Sequence, residues 1–245
     1  MPNFCNRCPM TTALSPDLQA KVAAAKAILQ EITSKHGKVV FANSLGAEDM
    51  VITDLLRKDF TQVDIFSLDT GRLPAETYDL MQKTEDRYNF KLTYYYPDTT
   101  TIEQFTRTKG INAFYNSVDL RKECCNIRKV EPLKRALASQ GAWITGLRRS
   151  QSVTRLDVPA IEFDKAFGLD KANPLIDWEE SDVWAYIKAL DIPYNALHDR
   201  NYPSIGCAPC TRAISKGEDI RAGRWWWENP ETKECGLHAG KPNAA

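Results

Sequence analysis

Seven cysteines stand out in this chain of 245 residues: Cys5, Cys8, Cys124, Cys125, Cys207, Cys210 and Cys235. The start, Met1 to Ser15, lacks an apolar stretch of signal-peptide length, so a disulfide framework is not expected and metal binding or thiol chemistry gains weight. Cys207-Ala208-Pro209-Cys210 is a turn of the kind that puts two sulfurs on one metal or cluster. Cys124-Cys125 is the odd half, because zinc ligands are usually spaced by two to four residues. On a helix, neighbours diverge by about 100°, which suits a bulky cubane better than one small ion. Spacing leaves three readings open: an iron–sulfur cluster, a zinc staple, or two unrelated reduced pairs.

Cys235 stands apart in Lys233-Glu234-Cys235-Gly236-Leu237-His238. In a polar tail its thiolate could be reached by another protein. Neighbouring cations would lower its pKa and Glu234 would raise it, so the sequence does not fix the sign. Cys5 and Cys8 make a second Cys-x-x-Cys at the N-terminus, read here as a frayed end without a role rather than a redox pair.

Charge is the second signal. The chain carries 32 basic and 32 acidic residues, which argues against a bulk-basic nucleic-acid coat. Locally the balance breaks: Arg121 to Arg155 holds nine basic residues against Glu123 and Glu131. Lys134 and Arg135 read as a solvated helix face. Lys129, four residues beyond Cys125, lies one helical turn away on the cysteine side. Arg212, Arg221 and Arg224 lie around and beyond the second cysteine pair, just before Trp225-Trp226-Trp227. Arginines fork onto phosphate or sulfate oxygens, so a substrate with two or more negative charges is the expected partner, and nucleic acid the rival. Three consecutive tryptophans cannot all point inward, so at least one should be exposed or close on a ligand.

The elements that must position these groups alternate. Ser15-Pro16-Asp17 is an N-cap with proline at the first helical position. Leu18, Val22, Ala25, Ile28, Leu29 and Ile32 follow a helical period as far as Gly37. Strands are expected at 38–44, 63–68, 91–96 and 142–146, and helices at 50–56, 74–88, 131–139 and 178–190. Strands separated by helices indicate a parallel sheet with right-handed crossovers. The expected fold is a single α/β domain, its mainly parallel sheet flanked by helices, with an N-terminal extension (1–14), a nucleotide-binding body (15–200) and an irregular, mobile C-terminal segment (201–245). Ligands of such sheets bind beyond the carboxyl ends of the strands. Those ends carry Ser44-Leu45-Gly46-Ala47-Glu48-Asp49, Asp69-Thr70-Gly71-Arg72 and Gly146-Leu147-Arg148-Arg149, which together favour a nucleotide pocket. No apolar run exceeds five residues, Val183 to Ile187, so no membrane span is expected and a cytoplasmic location is the default.

Taken together, Cys124-Cys125 with Cys207-x-x-Cys210, Leu68-Asp69-Thr70-Gly71-Arg72, Gly146-Leu147-Arg148-Arg149-Ser150-Gln151-Ser152 and Glu234-Cys235-Gly236-Leu237-His238 resemble assimilatory adenylylsulfate (APS) reductases. The similarity runs from about residue 38 to 240. Broader relatives are the phosphoadenylylsulfate (PAPS) reductases and the ATP pyrophosphatases, with an adenine nucleotide alpha-hydrolase-like fold. The resemblance implies a [4Fe-4S] cluster on Cys124, Cys125, Cys207 and Cys210, and Cys235 as nucleophile. It implies a phosphosulfate site of Lys129, Arg155, Arg221, Arg224 and His238. Leu68 and Gly146 would hold the adenosine partly through backbone groups, with Arg148 and Arg149 as further contacts. Two departures are visible. Ser152-Val153-Thr154-Arg155 is one residue shorter than in some members. Ala47 and Glu48 crowd and charge a loop that in ATP pyrophosphatases reads Ser-Gly-Gly-x-Asp-Ser and cradles pyrophosphate, which argues against that chemistry.

The implied reaction reduces APS to sulfite and AMP in sulfate assimilation, through an S-sulfocysteine on Cys235 that thioredoxin or glutaredoxin resolves. The two cysteine pairs point to APS over PAPS. A PAPS-preferring or dual-specificity reductase is the runner-up, and a zinc-stapled nucleotide- or RNA-binding protein the rival from another class. The oligomeric state stays open, a homo-oligomer included.

Overall fold

A computed structural model describes residues 13–151 and 157–229. Helix α1 (Pro16–Lys35) begins as its sequence dictates: the Ser15 hydroxyl accepts from the Leu18 amide, and Pro16 spends no needed donor at the first position. Its stripe of Leu18, Ala25, Leu29 and Ile32 is buried. Then follow β1 (Val39–Ala42), α2 (Ala47–Asp59), β2 (Asp64–Leu68), α3 (Ala75–Tyr88), β3 (Thr93–Tyr95) and α4 (Thr99–Lys109). Helix α5 (Val118–Cys125) runs through a π turn (Asn126–Val130) into α6 (Glu131–Leu137) and β4 (Ala142–Ile144). A hairpin of β5 (Ile161–Asp164) and β6 (Leu169–Ala172) precedes α7 (Glu180–Ala189), beyond which only short turns occur among the described residues.

The six strands form one sheet in the order β3-β2-β1-β4-β6-β5, parallel except for β5, which pairs antiparallel with β6. Strand β1 is central: Val40 faces Asp64 on one side and Trp143 on the other. Its run of β-branched and aromatic residues is buried, as a strand covered on both faces requires. Helices α1, α2 and α7 pack on the sheet through Leu29, Ile52, Leu55 and Ile187, whereas Leu133, Ala136 and Leu137 of α6 close against Val40, Phe66 and Trp143. The expected mainly parallel α/β fold is therefore present. Among the described residues no helix is long and apolar enough to cross a membrane.

The antiparallel β5–β6 edge and helices α4 and α5 were not among the expected elements. The expected helix at 131–139 is the last third of one continuous helical path from Val118 to Leu137. Pro132 accounts for the π turn inside it. Proline has no amide hydrogen to give to the Arg128 carbonyl and its ring would strike that carbonyl, so the path widens and the Glu131 amide donates to Asn126 instead.

Candidate active site

Three strand-end loops and the C-terminal segment enclose a cleft of about 310 Å³. After β1, the Asn43 carboxamide oxygen accepts from the Leu45 amide at 2.6 Å, holding Leu45 at a φ of 63°. The chain then turns into α2, where Asp49 accepts from both the Ser44 amide and the Ser44 hydroxyl, each at 2.6 Å. Burial pushes the Asp49 carboxyl up to about 7, against the pull of those two donors. Gly146 at the end of β4 abuts this carboxylate; any Cβ there would collide with it. Leu68, Thr70 and Gly146 line the cleft beside Asp49.

The expected cations divide. Lys129, Arg148, Arg221 and Arg224 line the cleft; Arg149 does not, and pairs instead with Asp177 while its Nε donates to the Val158 carbonyl. Arg148 is buried and committed to the protein: its Nε donates to Glu48 at 2.9 Å and its Nη1 to the Ser150 hydroxyl at 2.7 Å. Arg224 donates to the Ser204 hydroxyl at 3.2 Å and to the Ile205 carbonyl at 3.3 Å, with its guanidinium 4.8 Å from the Trp225 ring. Gly206 lets it lie there, since a Cβ at that position would overlap the guanidinium. Of the three tryptophans, Trp225 is buried and Trp226 exposed.

Next to the cleft lies a second, smaller cavity of about 20 Å³, lined by Cys124, Cys125, Cys207 and Cys210 together with Arg121, Arg128 and Lys129. Residues 82 apart in the chain thus meet at one point. Cys124 and Cys125 end α5, and Cys207 and Cys210 flank a single 3₁₀ turn. The Cys207 thiol donates to the Thr70 hydroxyl at 3.3 Å, joining the turn after β2 to the cysteines. Burial pushes the Cys210 thiol up to about 12 and raises Cys124, with Arg128 pulling Cys124 back. Among the described residues no set of three or more His, Cys, Asp or Glu side chains is arranged to hold a metal ion as placed. The donor chemistry nevertheless fits a thiolate-ligated group. Four thiols converge, cations surround them, and the Arg128 Nε is buried without a hydrogen-bond partner while its Nη1 donates to Thr70 O at 2.5 Å. Lys129 alone lines both cavities.

Comparison with known proteins decides the family. The phosphoadenosine phosphosulfate reductase domain matches residues 38–213. A protein named adenosine 5'-phosphosulfate reductase from Burkholderia cepacia is 56% identical over 93% of this chain and 91% of its own. One of the same name from Allochromatium vinosum is 55% identical over 92% and 89%. The chain belongs to the phosphoadenosine phosphosulfate reductase family. Among solved structures, phosphoadenylyl-sulfate reductase from Candida auris, as a phosphate complex, superposes with a TM-score of 0.67 at 29% identity, over 83% of this chain and all of that one. FMN adenylyltransferase from Candida glabrata superposes at 0.58 with 17% identity, over 92% of this chain and 81% of that one, a likeness of fold alone.

Within this reductase-family site, the fold brings together Lys129, Arg148, Arg221, Arg224, Leu68 and Gly146 around the cleft, and gathers the four cysteines beside it. Arg155, Cys235 and His238 lie outside the described residues, as do Cys5 and Cys8. Sequence reasoning missed His198, which lines the cleft with its ring 5.1 Å from that of Trp184 and its Nε2 buried without a hydrogen-bond partner. Burial lowers its pKa, so it is a neutral imidazole at pH 7. It also missed Arg128 and the Arg121–Glu228 pair. The signal for Arg121 and Arg128 was spacing: they lie three residues before Cys124 and three after Cys125, on the same helical path.

Proposed function

We propose that this chain reduces adenosine 5'-phosphosulfate to sulfite and AMP in sulfate assimilation, with Cys235 as nucleophile. The observation that carries the reading is Lys129, placed on the wall shared by the cation-lined cleft and the four-cysteine cavity. The adenosine would lie against Leu68 and Gly146, and Arg221, Arg224 and Lys129, joined by Arg155 and His238, would offset the charge of the phosphosulfate. Arg148 acts from behind by fixing Glu48. Arg149, turned to Asp177, takes no part in this reading.

The Cys235 thiolate attacks the sulfur of APS, an S–S bond forms, the S–O bond to phosphate breaks, and AMP leaves with the electron pair. A dithiol reductant of the thioredoxin or glutaredoxin type then attacks the Cys235 sulfur. Sulfite departs, and the second thiol of the reductant closes its disulfide and frees Cys235. The reductant supplies both electrons, taking sulfur from the sulfate to the sulfite level. Cys124, Cys125, Cys207 and Cys210 would hold a [4Fe-4S] cluster, which would supply a fixed charge centre beside Lys129. Arg128 would steady those thiolates through Cys124. The division into an extension, a body and a C-terminal segment carrying Cys235 follows the same reading, the last closing on the cleft for transfer and opening for release.

The test is Cys235→Ser. APS binding is expected to remain and sulfite formation to vanish; a variant that still releases sulfite would remove Cys235 from the mechanism. Iron and sulfide analysis after anaerobic purification tests the cysteine assignment: about four irons per chain are expected, and one zinc would overturn it.

A further inference from the structure

Beyond the cation-lined cleft, the described C-terminal segment is fastened at its far end by a buried ion pair. The Arg121 Nε donates to one carboxylate oxygen of Glu228 at 2.9 Å, and Nη2 donates to the other at 2.8 Å. Both side chains are withdrawn from solvent, at 1% and 3% exposure. The Arg121 guanidinium also lies 4.7 Å from the Trp225 ring, whose backbone amide donates to the Cys210 carbonyl. Its other neighbour is the Cys125 thiol. One side chain of α5 therefore touches a member of each cysteine pair's surroundings and the last turn before residue 229.

A buried pair of this kind is a weak device for stability, because desolvating two charges cancels most of their attraction, but a two-pronged fork fixes direction and register. What it fixes here is the departure point of the chain toward Cys235. Cys235 lies six positions beyond Asn229, and an extended chain of that length reaches only about 20 Å. The position of Glu228 thus bounds the space that the Cys235 sulfur can search. Trp225 carries the constraint to the substrate side, since Arg224 stacks on the same ring and lines the cleft.

We propose that Glu228 is a positioning residue: by its forked pair with Arg121 it sets where the tail leaves the body, and so governs how fast Cys235 reaches the substrate sulfur without contributing to substrate binding. This rests on the reading of Cys235 as nucleophile. A loss of placement on the order of 1 Å costs up to about 100-fold in a chemical step, so the effect belongs in a rate constant.

Single-turnover mixing of the anaerobically purified protein with APS, without reductant, and intact-mass detection of S-sulfocysteine tests this. In Glu228→Gln one prong becomes an amide facing a guanidinium N–H, and the rate constant is expected to fall about 10- to 100-fold. APS affinity should stay within about threefold of wild type, because no cleft contact is removed. Glu228→Asp keeps the charge but cannot reach both prongs, and should fall between the two. Arg121→Gln combined with Glu228→Gln should be no slower than Glu228→Gln alone, since one unit has been removed. A merely structural role would lower the amplitude of adduct formation and the bound fraction of APS together, with the rate constant unchanged; that result overturns the proposal. If Glu228→Gln does not fold, Glu228→Asp decides alone, and an unchanged rate constant there is equally fatal. Failure of the underlying reading would look different: the wild-type protein itself would form no S-sulfocysteine.

Discussion

Asp49 is the residue whose protonation the cleft controls. It is fully withdrawn from water, faces Glu48 as a like charge, and receives only the two Ser44 donors in compensation. Its folded-state value of about 7, against an ordinary 3.8, means that the folded protein holds this proton where the unfolded chain has lost it. The stabilising contribution is complete below 3.8 and is lost as pH rises through about 7. The same titration adds a negative charge beneath a site built for an anion. In Cys235→Ser protein, where no turnover intervenes, APS affinity is expected to decline above pH 7 by as much as about tenfold per pH unit. Asp49→Asn in that background should flatten the decline and also remove the loss of stability between pH 3.8 and about 7, both within a range of about pH 4 to 8. Calorimetric titration across that range checks both, and a wild-type affinity that is level from pH 6 to 8 would show that Asp49 does not sense the ligand.

At the scale of elements, the π turn at Asn126–Val130 decides which side chains the cysteine helix presents to each cavity. In unbroken α-helical register each residue turns the face by about 100°, so a one-residue widening re-aims everything downstream of Cys125 relative to it. Pro132→Ala restores an amide hydrogen that can reach the Arg128 carbonyl and close the turn. Arg128 and Lys129 should then swing away from the shared wall. The expected result is a several-fold loss of bound iron and a fall in kcat/KM of about 10-fold or more, with Tm little changed because α6 keeps its apolar contacts. Unaltered iron content and activity would show that the widened turn is incidental. The same proline explains what the sequence concealed. A proline at this place suits the start of a separate helix, which conceals the continuity of α5 and α6. Helix α4 escaped because its Thr-rich run carries only Ile102 and Phe105 as apolar residues and buries only Phe105, although Asp98 caps it. Strands β5 and β6 carry Glu162 and Asp164, which pair with Lys171 across the hairpin, and Asp170, which pairs with Lys35 and His36, in place of the apolar alternation that marks a half-buried strand. By contrast α1, the strands β1, β2, β3 and β4, α3 and α7 were legible, because capping residues and apolar periodicity agreed there. The cleft cations were legible as charge against a neutral background. Partners such as Glu48 for Arg148 and Asp177 for Arg149 were not, since which arginine serves the fold and which serves the cleft depends on long-range packing.

For the whole molecule, the arrangement separates holding the substrate from reacting with it. The sheet supplies three loops at the carboxyl ends of its strands, and the described C-terminal residues supply Arg221 and Arg224, so every described residue of the cleft lies before residue 230. The proposed nucleophile, Cys235, comes after that point. A chain ending at Asn229 keeps the cleft, the four cysteines and the Arg121–Glu228 pair, and loses Cys235 and His238. Loss of one cationic or hydrogen-bonding partner from an anion site costs about 1.5–3 kcal/mol. The truncated protein should therefore still bind APS, with affinity reduced by about 10- to 150-fold, yet form no sulfite with any dithiol. Isothermal titration alongside a sulfite assay separates the two functions. Complete loss of APS binding would place the substrate on residues beyond 229 rather than in the cleft, and sulfite release by the truncated chain would assign the nucleophile to a cysteine other than Cys235. Binding without turnover is the outcome the proposed division of labour requires: a body that recognises the anion, and a thiol beyond residue 229 that reacts with it.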